Sequence, residues 1–185
     1  YKILEQVGSQ YTGELIFIQD KNTTSIGSHL KKRKSVLVCL AAEWFIKDQK
    51  KMLESLICYF PDSVDMHLKL HSSSGVEYFS LENKFENVYV YASNPIKNTY
   101  ESQTIVSIDN LQELMRKSDI LITYGSTMVL EANKYNLESY FIKIDGDILY
   151  KREHLAWMCK KYISGFIDIS FKYNKYKIIK SDVEF

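Results

Sequence analysis

The sequence predicts an α/β fold in which helices pack on a mostly parallel, doubly wound sheet. Three observations carry that expectation. Short runs such as Val36-Leu37-Val38-Cys39-Leu40 are apolar at every position, the pattern of a strand covered on both faces. Between them lie longer stretches whose apolar residues recur at helical spacing. Strand and helix patterns then alternate along the chain, which requires crossover connections and hence parallel neighbours.

Taken in order, Glu14–Gln19 (ELIFIQ) reads as a strand, and Lys21–Ser28 (KNTTSIGS) as a turn-rich loop. Lys31-Lys32-Arg33-Lys34 reads as a solvated entry to the apolar run that follows. From Glu43 to Phe60 apolar residues recur at Phe45, Met52, Leu53, Leu56, Ile57 and Phe60, with Gln49 a break in the period. The stretch has an acidic start and Pro61 as its stop, so it predicts a helix. Met66, Leu68 and Leu70 alternate with His67, Lys69 and His71, a half-buried strand. Val88–Tyr91 and Thr104–Ile108 are further strands. Asn110 as N-cap, with Glu113 three residues on, opens a helix that closes near Lys117. Asp119–Thr123 is a buried strand, Met128–Tyr135 a helix, and Ser139–Ile144 a strand. Glu153–Ile163 predicts a last amphipathic helix with Gly165 just past its end, and the Tyr- and Lys-rich tail from Phe166 has no assignment. Right-handed crossovers arrange such units as a Rossmann-like domain over residues 35–185. Residues 1–34 read as a poorly assigned leading segment or the remnant of a preceding domain. The first residue, Tyr1, points to processing or to a piece of a longer protein.

Composition narrows the function classes. A chain of 185 residues buries roughly 70% of its unfolded surface, so its core needs no staples. Lys and Arg number 24 against 23 Asp and Glu, a formal charge of +1, which excludes a strongly cationic nucleic-acid binder. The longest apolar run, Val36–Ala42, is far short of the ~20 residues of a membrane helix. Cys39, Cys58 and Cys159 are odd in number and lack a CxxC spacing. With Cys39 and Cys58 in apolar stretches, buried reduced thiols and a cytoplasmic setting are expected. His29, His67 and His154 have no partner pattern, so neither a metal nor a cofactor is expected. No GxSxG, P-loop or HExxH occurs. Asp145-Gly146-Asp147 reads as a turn.

In doubly wound sheets ligands bind beyond the carboxyl ends of the strands. A crevice is therefore expected at the ends of the strands near 36–40, 66–70 and 119–123, lined by His71, Ser126 and Thr127. Gly125 permits a tight strand exit. Ser126 and Thr127 follow at a helix start, where hydroxyls, N–H groups and the helix dipole favour an anion; either one also suits a simple helix cap. Glu131 lies one helical turn beyond Thr127, placed to meet a sugar hydroxyl rather than to make a structural ion pair. Ala41-Ala42-Glu43 faces the same crevice without a Gly-rich fingerprint. Trp44, Tyr89 and Tyr91 suit either base stacking or the core.

The segment Asn110–Ile144, NLQELMRKSDILITYGSTMVLEANKYNLESYFIKI, resembles the donor-binding segment of bacterial glycosyltransferases of the two-domain GT-B fold. In that family a helix, a hydrophobic strand after Asp, a Ser-Ser/Thr pair, a Glu-Ala pair and a second strand close around the nucleotide sugar. Sialyltransferases and capsule polysaccharide transferases of the same fold carry a His-Pro pair at an earlier strand end, where this chain has His71-Ser72. The resemblance implies a C-terminal, donor-binding half using a nucleotide sugar, CMP-sialic acid being one candidate, in surface polysaccharide biosynthesis. It further implies that His71 is catalytic at the departing phosphate and that Ser72, Gly125, Ser126, Thr127 and Glu131 bind substrate. The saccharide acceptor, and any peripheral association with the inner face of the membrane, would fall to another region. A nucleotide-sugar 2-epimerase-like enzyme and a non-catalytic partner-binding module are the alternatives.

Overall fold

In the computed structural model the described residues are 15–18, 33–42, 46–71, 73–92, 103–106, 108–124, 126–148 and 161–184. Ser72, Gly125, Glu43, Trp44, His29, His154, Cys159 and the span 153–160 of the expected last helix lie outside them.

The strands are β1 (Leu15–Ile18), β2 (Lys34–Cys39), β3 (Val64–Lys69), β4 (Val88–Ala92), β5 (Gln103–Val106), β6 (Ile120–Thr123), β7 (Glu138–Ile144), β8 (Asp147–Ile148), β9 (Gly165–Lys172) and β10 (Lys175–Ser181). The helices are α1 (Gln49–Ile57), α2 (Ser80–Lys84, after a 3-10 turn Val76–Phe79), α3 (Ile108–Lys117) and α4 (Met128–Lys134). All strands join one sheet in the order β10-β9-β7-β6-β2-β3-β4-β1-β5, with β8 paired to β7. Its centre, β4-β3-β2-β6-β7-β9, is parallel throughout. The flanking pairs β1–β4, β1–β5 and β9–β10 are antiparallel. Six parallel strands in this sequence have the Rossmann order 3-2-1-4-5-6, so the expected Rossmann-like α/β class holds.

Why these residues form these elements follows from their burial. Every residue of β2 after Lys34 is buried, as are all four of β6, because both sheet faces are covered there. α1 buries Gln49, Met52, Leu53, Leu56 and Ile57, one unbroken helical stripe. It starts later than the expected Glu43–Phe60 because Asp48 takes a left-handed conformation, φ 50°, that a right-handed helix cannot include. Under that face Val36, Val38, Met66, Leu68, Ile120 and Ile122 form the larger core cluster, which α1 and the β9–β10 hairpin close. On the opposite face Leu37, Cys39, Leu121 and Phe141 meet Leu111, Leu114 and Met115 of α3 and Met128, Val129 and Ala132 of α4.

The structure corrects one expectation and adds to two other readings. α3 starts at Ile108, so Asn110 lies inside the helix and is not its cap; the apolar period of Leu111, Leu114 and Met115 runs back in the sequence to Ile108. Gly165 lies past the helical residues 161–162, as expected, and opens β9. A Cβ there would sit 2.6 Å from Asp182 Cβ, and Asp182 needs that approach to accept the Phe166 N–H at 3.0 Å. The unassigned tail is the β9–β10 hairpin, turned by Tyr173 (φ 52°) and Asn174 (φ 60°), a two-residue loop with both residues at positive φ.

Candidate functional site

The strand order reverses at β2. From β2 the chain steps through β3 to β4 on one side, then returns to place β6 on the other. Cys39 is level with Lys69 of β3 and with Thr123 of β6. The exits of three adjacent strands therefore share one end of the sheet. They carry Leu40-Ala41-Ala42 from β2, Leu70-His71 from β3, and Tyr124 followed by Ser126-Thr127 from β6. The ladder runs one residue beyond the strands, with Leu40 N–H donating to Lys69 O at 2.9 Å and Leu70 N–H to Tyr91 O at 2.8 Å. Thr123, fully buried, donates its hydroxyl to Cys39 O at 3.2 Å and ties β6 to β2 where they separate.

His71 is half-buried at the β3 exit. Its Nδ1 lies 2.9 Å from Ser73 Oγ and accepts the Ser73 N–H at 3.2 Å. A backbone N–H can only donate, so this contact selects the tautomer with the proton on Nε2. Burial, and then the nearby Lys69 ammonium, hold the imidazole below its ordinary pKa. It is a neutral hydrogen-bonding group at pH 7.

Ser126 and Thr127 are half-buried at the β6 exit. Ser126 Oγ accepts the Met128 N–H at 3.2 Å, so this hydroxyl caps α4 while retaining its own proton for donation. Thr127 makes no side-chain cap bond. α4 has only seven residues, so the two hydroxyls rather than the helix dipole are what this exit offers an anion. Glu131 has a partner on its own helix. It pairs with Lys134 at 2.8 Å, an exposed i,i+3 ion pair, because Lys134 sits on the same face one turn on.

Other residues find structural roles. Tyr91 belongs to the core: it is 3% exposed and its hydroxyl lies 2.6 Å from His67 Nδ1. His67 in turn stacks on Tyr89, with ring centroids 5.1 Å apart. Burial, then Lys117, push its pKa down to about 4. Cys39 is buried, and desolvation raises its thiol pKa to about 11, leaving it inert at neutral pH. Cys58, expected to be buried, is exposed, since it is the residue just past the last buried turn of α1. Asp145 (φ 51°) and Gly146 (φ 84°) form the expected turn, with Asp145 Oδ1 accepting the Phe171 N–H at 3.0 Å. No group of three or more His, Cys, Asp or Glu among the described residues could hold a metal ion. None of their helices is long and apolar enough to cross a membrane.

Sequence reasoning passed over Gln49, which breaks the apolar period of its helix and yet is only 3% exposed. Its Nε2 donates to Ala41 O at 3.2 Å and reaches Tyr78 Oη at 3.4 Å. The amide thus lies between the β2 exit and the segment following β3. A polar residue at a core position of a helical stripe was the signal available. Tyr124, fully buried beside it in the sequence-distant layer under α1, donates its hydroxyl to Met52 Sδ at 3.2 Å.

No family model matches the chain, and no curated protein does. Among solved structures it is similar to the glycosyltransferase GlyE of Streptococcus pneumoniae TIGR4, with a TM-score of 0.43 and 12% identity over 75% of this chain. The chain spans about 30% of the length of that protein.

Proposed function

We propose that this chain is the donor-binding part of a glycosyltransferase and takes a nucleotide sugar at the β2–β3–β6 exits. One observation carries the reading: the strand order reverses at β2, which opens the ligand crevice of doubly wound sheets where His71, Ser126 and Thr127 lie. In this reading the Ser126 and Thr127 hydroxyls donate to the phosphates. His71, a neutral imidazole, steadies the departing phosphate by hydrogen bonding rather than by delivering a proton. Ser72, Gly125 and Glu131 complete the substrate contacts on the strength of the resemblance, Glu131 by exchanging Lys134 for a sugar hydroxyl. The donor is a nucleotide sugar such as CMP-sialic acid, used without a metal. The saccharide acceptor is received by another region, and the work belongs to surface polysaccharide synthesis at the cytoplasmic side of the membrane.

Isothermal titration with CMP, CDP, UDP and GDP tests this. One nucleotide should bind, and the Ser126→Ala/Thr127→Ala double variant should bind it at least about tenfold more weakly, from the loss of two hydrogen bonds to an anion. The same change should cost about 1 kcal/mol of stability because Ser126 also caps α4, so titrations belong well below the melting transition. Overlaid titrations of parent and variant would place the phosphate elsewhere.

A further inference from the structure

Beside the β2 and β3 exits two buried atoms lack a hydrogen-bond partner among the described residues: Oε1 of Gln49, a residue 3% exposed, and Oγ of Ser74 in the segment after β3. Leaving a buried acceptor unmade costs about 1–3 kcal/mol, and at position 49 an apolar residue would continue the stripe of Met52, Leu53, Leu56 and Ile57. The amide does not face the middle of the core. Its Nε2 is held by Ala41 O, at the exit of β2, and by Tyr78, which the Ser73–Phe79 segment brings over from β3. Oε1 is attached to the same carbon as Nε2, so it too sits between the β2 and β3 exits. Ser74, whose N–H donates to His71 O at 3.0 Å, belongs to the same corner.

We infer that Gln49 is a nucleoside-positioning residue whose Oε1 accepts a hydrogen bond from a ligand hydroxyl or base N–H, with Ser74 Oγ as its companion. This rests on the reading of the crevice given above and assigns its neutral part. The bridging phosphates of a nucleotide sugar carry no proton at neutral pH and cannot satisfy an amide oxygen, so the partner is a hydroxyl or N–H of the ligand, which we assign to the nucleoside. The orphan atoms then mark where it enters. His71, Ser126 and Thr127 stand on the exits of β3 and β6, to either side of β2, where the phosphates belong.

The test is Gln49→Met, which keeps the length of the side chain and removes the orphan acceptor together with the Nε2 donor to Ala41 O and Tyr78 Oη. With the nucleotide that binds the parent chain, affinity should fall about tenfold, the worth of one hydrogen bond to a buried partner. The melting temperature should change little, because relief of the orphan acceptor and the restored apolar stripe offset the lost Nε2 bonds to Ala41 and Tyr78. Equal affinity in the variant overturns the inference while leaving the proposed function standing. Failure of the parent to bind any of the four nucleotides removes both. Ser74→Ala is the second variant should Gln49→Met not fold: it deletes an orphan hydroxyl, so it should weaken binding without lowering stability, and unchanged binding there counts against the inference. The two donor chemistries separate by ligand. If the donor is a ribose hydroxyl, the 2′- or 3′-deoxynucleotide binds the parent more weakly and Gln49→Met as well as the parent nucleotide does. If it is a base N–H, the preference among the four bases flattens in the variant.

Discussion

The two faces of the sheet are built from alternate residues of the same strands, yet they are packed on different terms. The face under α1 is closed and mostly aliphatic at its centre, with Val36, Met52, Leu53, Leu56, Met66 and Leu68 fully buried and the tyrosines Tyr78 and Tyr124 packed among them. The face under α3 and α4 keeps an aliphatic patch around Leu37, Leu121 and Phe141, but toward β3 and β4 it turns polar. Asp65, His67 and Lys69 alternate with buried Val64, Met66 and Leu68, and His67 is secured by Tyr89 and Tyr91. The difference teaches that a strand in a parallel sheet need not be apolar on both sides. β3 reads half-buried because one of its faces is held by hydrogen bonds and ring contacts rather than by area.

The largest effect expected of that asymmetry is in truncation. Leu53→Ala in the closed aliphatic layer should cost about 3–5 kcal/mol, while Leu114→Ala under α3, 7% exposed, should fall near 2 kcal/mol. Urea denaturation of both variants would measure it, and equal costs would erase the distinction between the faces.

The polar face should also answer to pH. His67 is depressed to about 4 against an ordinary 6.5, so the folded chain favours the neutral ring. Stability is then full above pH 6.5 and falls as the pH drops from about 6.5 to about 4, where the unfolded chain binds the extra proton. The loss approaches about 3 kcal/mol. Denaturation across that window should show the slope, and His67→Gln, which cannot titrate, should remove most of it. A slope that survives the substitution would move the titration to other groups.

At the hairpin that closes the aliphatic face, Tyr173 is 97% exposed and adopts φ 52°, a conformation that a β-carbon opposes. Tyr173→Asn should stabilise the chain by about 0.5–1 kcal/mol, read as a raised melting temperature. The smallest effect belongs to the other face. Glu131→Gln removes an exposed pair to Lys134 and should change stability by less than about 0.5 kcal/mol. A larger loss would make the pair structural.

Much of the architecture was legible because its signals are local. The run Val36–Leu40 is apolar at every position, as a doubly covered strand requires, Asp119–Thr123 carries the apolar Ile120-Leu121-Ile122, and Met128–Tyr135 reads as a helix from its spacing and its entry. Those elements, their alternation and the right-handed crossover rule are enough to determine the Rossmann-like class and to direct attention to strand exits. The tail stayed unassigned for the opposite reason. Ile167-Asp168-Ile169-Ser170-Phe171 alternates as a strand should, but Tyr173-Asn174 lacks the glycine that usually announces such a turn, and only pairing with β10 holds Tyr173 in a left-handed conformation.

Other features had no local signature at all. That Tyr91 would enter the core and bond His67, and that Gln49 would be buried against the β2 exit, were decided by partners brought together in space. Hydrophobic period is a property of neighbouring residues, so sequence alone carries it. Which strand lies beside which, and therefore what a buried amide or imidazole meets, depends on contacts between residues far apart in the chain. Gln49 and Tyr78 are joined across 29 positions, and Ser55 and Tyr176 across 121. That pairing is what tertiary structure supplied: it brought three strand ends to one end of the sheet.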